Sequence, residues 1–228
     1  MKLKGFIMKL KKFLYKILGI DCNPKCLKSK KMFGHKIYTN TMRPHKKICQ
    51  FSDHCFKTCL TFSGMGNMTN VKDARVKRTK DYLNNPAAYK AQLIKEIHSI
   101  KPNPKVWFRL NTMSDIDFKE VIEACPNHNF YDYTKDYRKF TTNKFDNYYL
   151  TFSYDGHNWS KCSKILKSGK NVAVVFKGEF PKEFKTWEVI DGDTHDSRWL
   201  DKQGCVVGLS FKGSKARKEV AGNNGFTA

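Results

Sequence analysis

The amino-acid sequence predicts an α/β protein, an open, partial parallel β/α barrel with a basic amphipathic helix at its N-terminus. Three observations lead there. Short apolar runs such as VAVVF at 172–176 lack polar alternation, which indicates strands buried on both faces, as in a parallel sheet. Strand-like runs are interleaved with helix-like segments. Polar residues recur just past the runs, at the strand ends that form the active face of parallel α/β folds.

Taken in order, residues 1–20 (MKLKGFIMKLKKFLYKILGI) read as one amphipathic helix. Leu3, Phe6, Ile7, Leu10, Phe13, Leu14, Ile17 and Leu18 share one arc, and six lysines share the other. Such a helix suits an anionic membrane surface, a nucleic-acid backbone or the protein's own core. Residues 21–35 carry Cys22, Pro24, Cys26 and a run of lysines, and read as a linker. This divides the chain into a leader, 1–35, and a single α/β domain, 36–228. A first strand is expected at 35–40 (HKIYTN), followed by a cysteine-bearing loop. A long helix is expected over 70–100, with Asn70 as a cap and a break at Asn85-Pro86. Further strands are expected at 105–110 (KVWFRL), 129–133 (NFYDY), 148–153 (YYLTFS), 172–176 (VAVVF), 187–190 (WEVI) and 205–211 (CVVGLSF), with a helix over 117–124. Helical periodicity is clear only in the first half, so the later crossovers are expected to be short or irregular.

A hydrophobic fraction of 40% and an aromatic fraction of 14% over 228 residues suit a folded protein with a proper core. No apolar run reaches the roughly 20 residues of a membrane-spanning helix. The 43 Lys and Arg outnumber the 21 Asp and Glu, giving a formal charge of +22 that attracts polyanions. Residues 1–47 hold 14 Lys and Arg against one acid, Asp21, so nucleic acid is the expected partner of the basic N-terminal region, with an anionic membrane surface second. No secretory signal is evident, which predicts a cytoplasmic protein with reduced thiols. Among the eight cysteines, Cys125, Cys162 and Cys205 stand alone and suit small buried apolar positions.

The remaining thiols carry the chemistry. Cys49-x5-Cys55-x3-Cys59 places three soft ligands within eleven residues of polar sequence. Two readings are open. Three thiolates can hold three irons of a [4Fe–4S] cluster and leave the fourth open, or His45 or His54 can complete a Cys3His zinc site. Cys22 and Cys26 could supply extra ligands to either. Gly64 and Gly66 follow the cysteines and allow close backbone approach to a cofactor. At the strand ends, Asn111 is a candidate cofactor contact, and Asp115, Asp132, Lys135, Asp191 and Asp193 are candidate catalytic residues. The run from Asp191 to Asp196 has ligand types for a divalent metal but lacks EF-hand spacing, and a solvated turn explains it equally well. Nucleophile-elbow, Walker and HExxH motifs are not present.

The segments CQFSDHCFKTCLTFSGMGN, VKDARVKRTKDYL, FRLNTMSDI, FYDYTK, YYLTFS, NVAVVF, VIDGDTHDSRWLD and GCVVGLSFKG, with the terminal Gly225-Phe226, resemble a family of bacteriophage and mobile-element proteins. If phage-encoded, the chain acts in the host cell's cytoplasm. The cysteine-first layout is in turn similar to radical S-adenosylmethionine enzymes, where a three-cysteine loop after the first barrel strand holds a [4Fe–4S] cluster. That likeness implies Cys49, Cys55 and Cys59 as cluster ligands and S-adenosylmethionine as a cofactor. Two departures stand out: the typical spacing is x3 then x2, and the glycine-rich, Glu-terminated strand of those enzymes is not evident. Two function classes follow. One is an iron–sulfur enzyme of this kind acting on an unknown, perhaps nucleic-acid-related, substrate. The other is a zinc-stabilised, non-enzymatic nucleic-acid-binding protein of replication or host takeover.

Overall fold

A computed structural model describes residues 15–20, 24–62 and 68–228. Its frame is one nine-stranded sheet. The strands are β1 (Gly19–Ile20), β2 (Lys36–Thr39), β3 (Val106–Arg109), β4 (Asn129–Thr134), β5 (Tyr148–Ser153), β6 (Val172–Phe176), β7 (Glu183–Phe184), β8 (Trp187–Asp191) and β9 (Val206–Ser210). Their spatial order is β1-β2-β3-β4-β5-β6-β9-β8-β7. Every pair from β2 through β9 to β8 is parallel, and only the edge strands β1 and β7 run antiparallel to their neighbours. The expected open, mostly parallel α/β sheet is present.

The helices are α1 (Pro24–Phe33), α2 (Thr69–Asn84), α3 (Pro86–His98), α4 (Lys119–Glu123), α5 (Tyr137–Thr141), α6 (Trp159–Lys167) and α7 (Lys215–Asn223). Local chemistry starts several of them. Asn85 is extended (φ −151°), accepts from the Ala88 N–H at 3.0 Å and is followed by a proline at the first helical position, which separates α3 from α2. Asp136 caps α5 by accepting from the N–H groups of Arg138 and Lys139.

Strand order explains where the connections lie. The steps β2→β3→β4→β5→β6 all move the same way, so right-handed crossovers put α2 to α6 on one face. There Tyr89, Leu93 and Ile97 of α3 and Val121 and Ile122 of α4 bury Phe108, Phe130 and Tyr148. Cys162, Ile165 and Leu166 of α6 cover Phe152, Val172 and Val206. The step β8→β9 moves back one place, so its crossover runs over the opposite face. That segment meets α1 there: Cys26, Ile37 and Tyr131 pack with Trp107 and Trp199, whose rings stack at 3.5 Å.

A charged cluster lies in this interior. Asp196 accepts from Arg109 Nη1 at 2.9 Å, Tyr131 Oη at 2.7 Å and Tyr133 Oη at 3.1 Å, and its own N–H donates to Ser29 Oγ. Arg198 is fully buried beside it, with Nη1 at 3.2 Å from Asp201. This face of the sheet is thus covered by the chain's own α1 and the segment after β8.

Three expectations need correction. Residues 24–33, read as a linker, form α1, whose Cys26 and Ser29 are buried. Of the helix expected over 1–20, residues 1–14 lie outside the described residues, and 15–20 are not helical. The Glu96 carboxylate accepts from the Ile17 and Leu18 N–H groups, and Gly19–Ile20 pairs with β2, so the local backbone groups bond to partners other than helical ones. The later crossovers are not all irregular either, since α6, between β5 and β6, is a regular helix of nine residues. Among the described residues no helix is long and apolar enough to cross a membrane.

Candidate functional site

The segment after β2 turns across the C-terminal rim of the sheet through the short 3-10 turns Phe56–Thr58 and Leu60–Phe62, and it carries Cys49, Cys55 and Cys59. It is anchored to the loop after β3: the Asp115 N–H donates to Ile48 O at 2.7 Å, and Cys49 Sγ donates to Met113 O at 3.2 Å. From the other side, α7 packs on the Phe56–Thr58 turn and Asn224 Nδ2 donates to His54 O at 2.7 Å. His54 and His157 stack with ring centres 3.8 Å apart, and a side chain at Gly156 (φ +97°) would collide with the Gly225 carbonyl.

The three thiols are half-buried and feel one another. Burial pushes the Cys49 thiol up to about 12, helped by Cys59, Cys55 and Asp115 and opposed by a hydrogen bond with the His45 backbone. Burial and Cys55 also raise the Cys59 thiol, against the pull of Lys135 and Arg43. Burial alone would lower Lys135, yet Cys55, Asp115, Asp155 and Cys59 together hold its ammonium above the ordinary value. Its Nζ lies 5.9 Å from the centre of the Phe226 ring.

Asp115 organises the ground beside the thiols. It accepts from Thr134 Oγ1 at 2.7 Å, from the Lys135 N–H at 2.8 Å and from Lys139 Nζ at 3.1 Å. Asn111 and Asp132 sit beneath, one 2% and the other 1% exposed. The amide of Asn111 closes its own loop, accepting from Ser114 and Ile116 and donating to Ile116 O and Asp132. Asp132 also accepts from the Asn111 N–H at 2.7 Å and Tyr148 Oη at 3.0 Å. Burial pushes its carboxyl up to about 6, against the lowering influence of Lys139, the Asn111 N–H, Arg109 and Tyr148.

That shift has a measurable consequence. A carboxyl raised from 3.8 to about 6 by folding favours the protonated form in the native state. Its contribution to stability is therefore complete below the unfolded value and lost as pH rises through 6. At about 1.4 kcal/mol per unit, the loss is on the order of 2–3 kcal/mol. Urea unfolding at pH 4.5 and 7.5 should show this slope in the wild type and not in Asp132→Asn; parallel pH profiles would remove the assignment.

The predicted site residues thus divide. Cys49, Cys55, Cys59, Asp115 and Lys135 come together on the rim, with Asn111 and Asp132 in the layer under them. Asp191 and Asp193 end β8 and engage α1 and the turn that follows. Asp193 bridges to Lys25 Nζ at 2.7 Å and accepts from the Ser210 N–H at 2.9 Å. Asp191 accepts from Thr194 Oγ1 and from the Asp193 N–H. Burial would raise both carboxyls, and these hydrogen bonds hold them low, Asp193 at about 2. Cys26 Sγ points at Asp196 Oδ2 in the barrel interior. Gly64, Gly66 and Cys22 lie outside the described residues. Sequence reasoning missed Lys139 and Arg43, which reach the site through tertiary contacts: Lys139 with Asp115, and Arg43 beside Cys59. Among the described residues no three His, Cys, Asp or Glu side chains stand close enough to hold a metal as they are placed.

A match to the family described as gene product 88 runs over residues 22–224. The chain belongs to the gene product 88 family. The matched span takes in α1, the cysteine loop, all seven parallel strands and α7. It fits the phage-type resemblance carried by the motifs, and the family's description names no chemistry. No curated protein and no solved structure matches the chain.

Proposed function

We propose that this chain is an iron–sulfur protein in which Cys49, Cys55 and Cys59 hold a [4Fe–4S] cluster on the rim of its open barrel, in the manner of a radical S-adenosylmethionine enzyme. The observation that carries the reading is the placement of three half-buried thiols on one segment, 49–59, which follows the first parallel strand and is held against Met113, Asp115 and α7. The donor set suits the group in its chemistry. Thiolates are soft ligands, and two nearby cations, Lys135 and Arg43, offset the charge that three of them would carry. As they stand, no three of these side chains could hold a metal, so loading would have to draw the thiols together. Both histidines weighed for a zinc site have other contacts: His54 stacks on His157, and His45 Nδ1 accepts from the Lys47 N–H at 3.2 Å.

When bound at Cys49, Cys55 and Cys59, a [4Fe–4S] cluster would supply a site for S-adenosylmethionine and, once reduced by an external one-electron donor, the electron for its cleavage. The chain's own residues would hold and orient. Asp115 fixes the Lys135 backbone and Lys139, and Lys135 presents a cation toward the thiols. The reading puts the protein in the cytoplasm of a host cell, where thiols stay reduced.

Anaerobic purification followed by metal and sulfide analysis tests it. Iron with matching acid-labile sulfide, and saturable S-adenosylmethionine binding by equilibrium dialysis, is the expected result. Iron and sulfide without that binding would keep the cluster and remove the radical chemistry. One tightly held zinc in place of iron would favour a metal-stabilised nucleic-acid-binding protein, with the basic N-terminal region on phosphates.

A further inference from the structure

The end of the sheet opposite the cysteine loop carries a surface of another kind. Helix α1 leads into the start of β2, and Lys105 stands just before β3, its carbonyl accepting from the Lys36 N–H at 2.8 Å, so both meet at the N-terminal strand ends. Four half-buried rings gather there. Trp107 and Trp199 stack at 3.5 Å with their planes 7° apart, His35 meets Trp199 edge-on at 5.0 Å, and Phe33 lies 5.6 Å from His35. Trp107 Nε1 already donates to Pro104 O at 3.1 Å, and His35 Nδ1 pairs with Ser197 Oγ at 2.9 Å.

Cations flank these rings. Lys28, Lys30 and Lys31 are exposed on α1, and no acid occurs between Pro24 and Lys36. Lys105 lies over the turn that ends α1: a side-chain carbon at Gly34 (φ +74°) would stand 3.4 Å from its Nζ. Burial, and then the Lys105 charge, hold the His35 imidazole below its ordinary value. Among the described residues none of these four ammonium groups pairs with a carboxylate. Acids of the segment covering this face are engaged by other cations, Asp193 by Lys25, Asp196 by Arg109 and Asp201 by Arg198.

We propose that this surface docks single-stranded nucleic acid, with bases laid against the Trp107–Trp199 stack and phosphates on Lys28, Lys31 and Lys105. A single strand needs rings on which its bases stack and cations that track its backbone, and both stand here side by side. An anionic bilayer fits less well. The rings are half-buried, and interfacial anchoring needs apolar groups that reach about 5–10 Å into the headgroup boundary. The exposed Leu27 and Met32 lie roughly 140° apart around α1 and form no continuous apolar stripe. The surface uses no cysteine and lies at the other end of the strands, so this inference and the metal reading fail separately.

Fluorescence anisotropy of a short labelled oligothymidylate, titrated with the full chain, tests it. Saturable binding is expected, tighter than to a duplex of the same length. Gln in place of Lys28, Lys31 and Lys105 together should weaken it about tenfold or more and flatten the salt slope by about 2. Gln in place of Lys119, Lys144 and Lys167, the same charge change on the helical face, should stay within about twofold of the wild type. Trp107→Leu should cost about tenfold at an unchanged salt slope, while Trp107→Phe, which keeps a ring, retains most of the affinity. Melting curves establish that each variant folds. No saturable binding, tighter binding of duplex, or binding only to phosphatidylserine vesicles overturns the proposal. So does full affinity in the folded Lys28, Lys31 and Lys105 variant or in folded Trp107→Leu, or an equal loss in both lysine sets.

Discussion

Alanine in place of any one of Cys49, Cys55 or Cys59 is expected to abolish iron and acid-labile sulfide in the anaerobically purified protein. If these three thiolates hold a cluster, none is spare, and with a single one gone two would remain. The controls are built into the core. Cys125 and Cys162 are both 0% exposed on the helical face of the sheet, far in the chain from the loop. Alanine at either should lower stability by the cost of a small cavity and leave the metal content per folded chain intact. Metal and sulfide analysis on each variant, normalised to folded protein, checks the result. Full iron in any one of the three loop variants would sink the assignment of that thiol as a ligand.

The second large effect lies inside the barrel. Asp196→Ala should destabilise the fold by about 3–5 kcal/mol, because it strands Arg109 in a buried site without its carboxylate. Burial would raise the Asp196 carboxyl, and Arg109, Lys25, Arg198 and the Tyr131 hydroxyl hold it below the ordinary value. The stability it adds is therefore present above the unfolded Asp value and is lost as pH falls through the depressed one. Against a typical total of 5–15 kcal/mol the loss is large. Denaturant midpoints at pH 7 measure it, and a change below about 1 kcal/mol would show that water or a shifted partner replaces the carboxylate.

Part of the sheet was legible because some of its strands, β5 and β6 above all, are largely buried. YYLTFS and VAVVF are strands with the bounds read from sequence, since little but a two-sided apolar environment tolerates such runs. The break at Asn85-Pro86 was legible for an equally local reason. The helix α6 was not read, although Trp159, Cys162, Ile165 and Leu166 carry its apolar spacing, because lysines and serines between them dilute the pattern. At the site, the cysteines announced themselves by spacing, and Asp115 and Lys135 by following strands. Asp132 reads like them in sequence and differs in space: residue parity along β4 turns it toward the helices, under the rim. Asp191 and Asp193 share the strand-end signature too, but their partners Lys25 and Ser210 are set by tertiary structure. Polar character after a strand says which end a residue occupies, and not whether a neighbour has already engaged it.

The backward step from β8 to β9 bears on the order in which the chain can mature. Asp196 lies 87 residues after Arg109, the cation it neutralises, and 65 after Tyr131. During synthesis, β2 to β6 with their covering helices can assemble on one side while the other side still lacks its carboxylate. The interior can close only when residues 192–201 have emerged and laid themselves over α1, so contacts of long sequence separation come last and slowly. Until then that side is open to water, and Arg109 remains solvated there. A ribosome-bound chain stalled before residue 191 would therefore hold a half-built shell, its cysteine loop still without the helix α7 that packs on it and its keystone still to arrive.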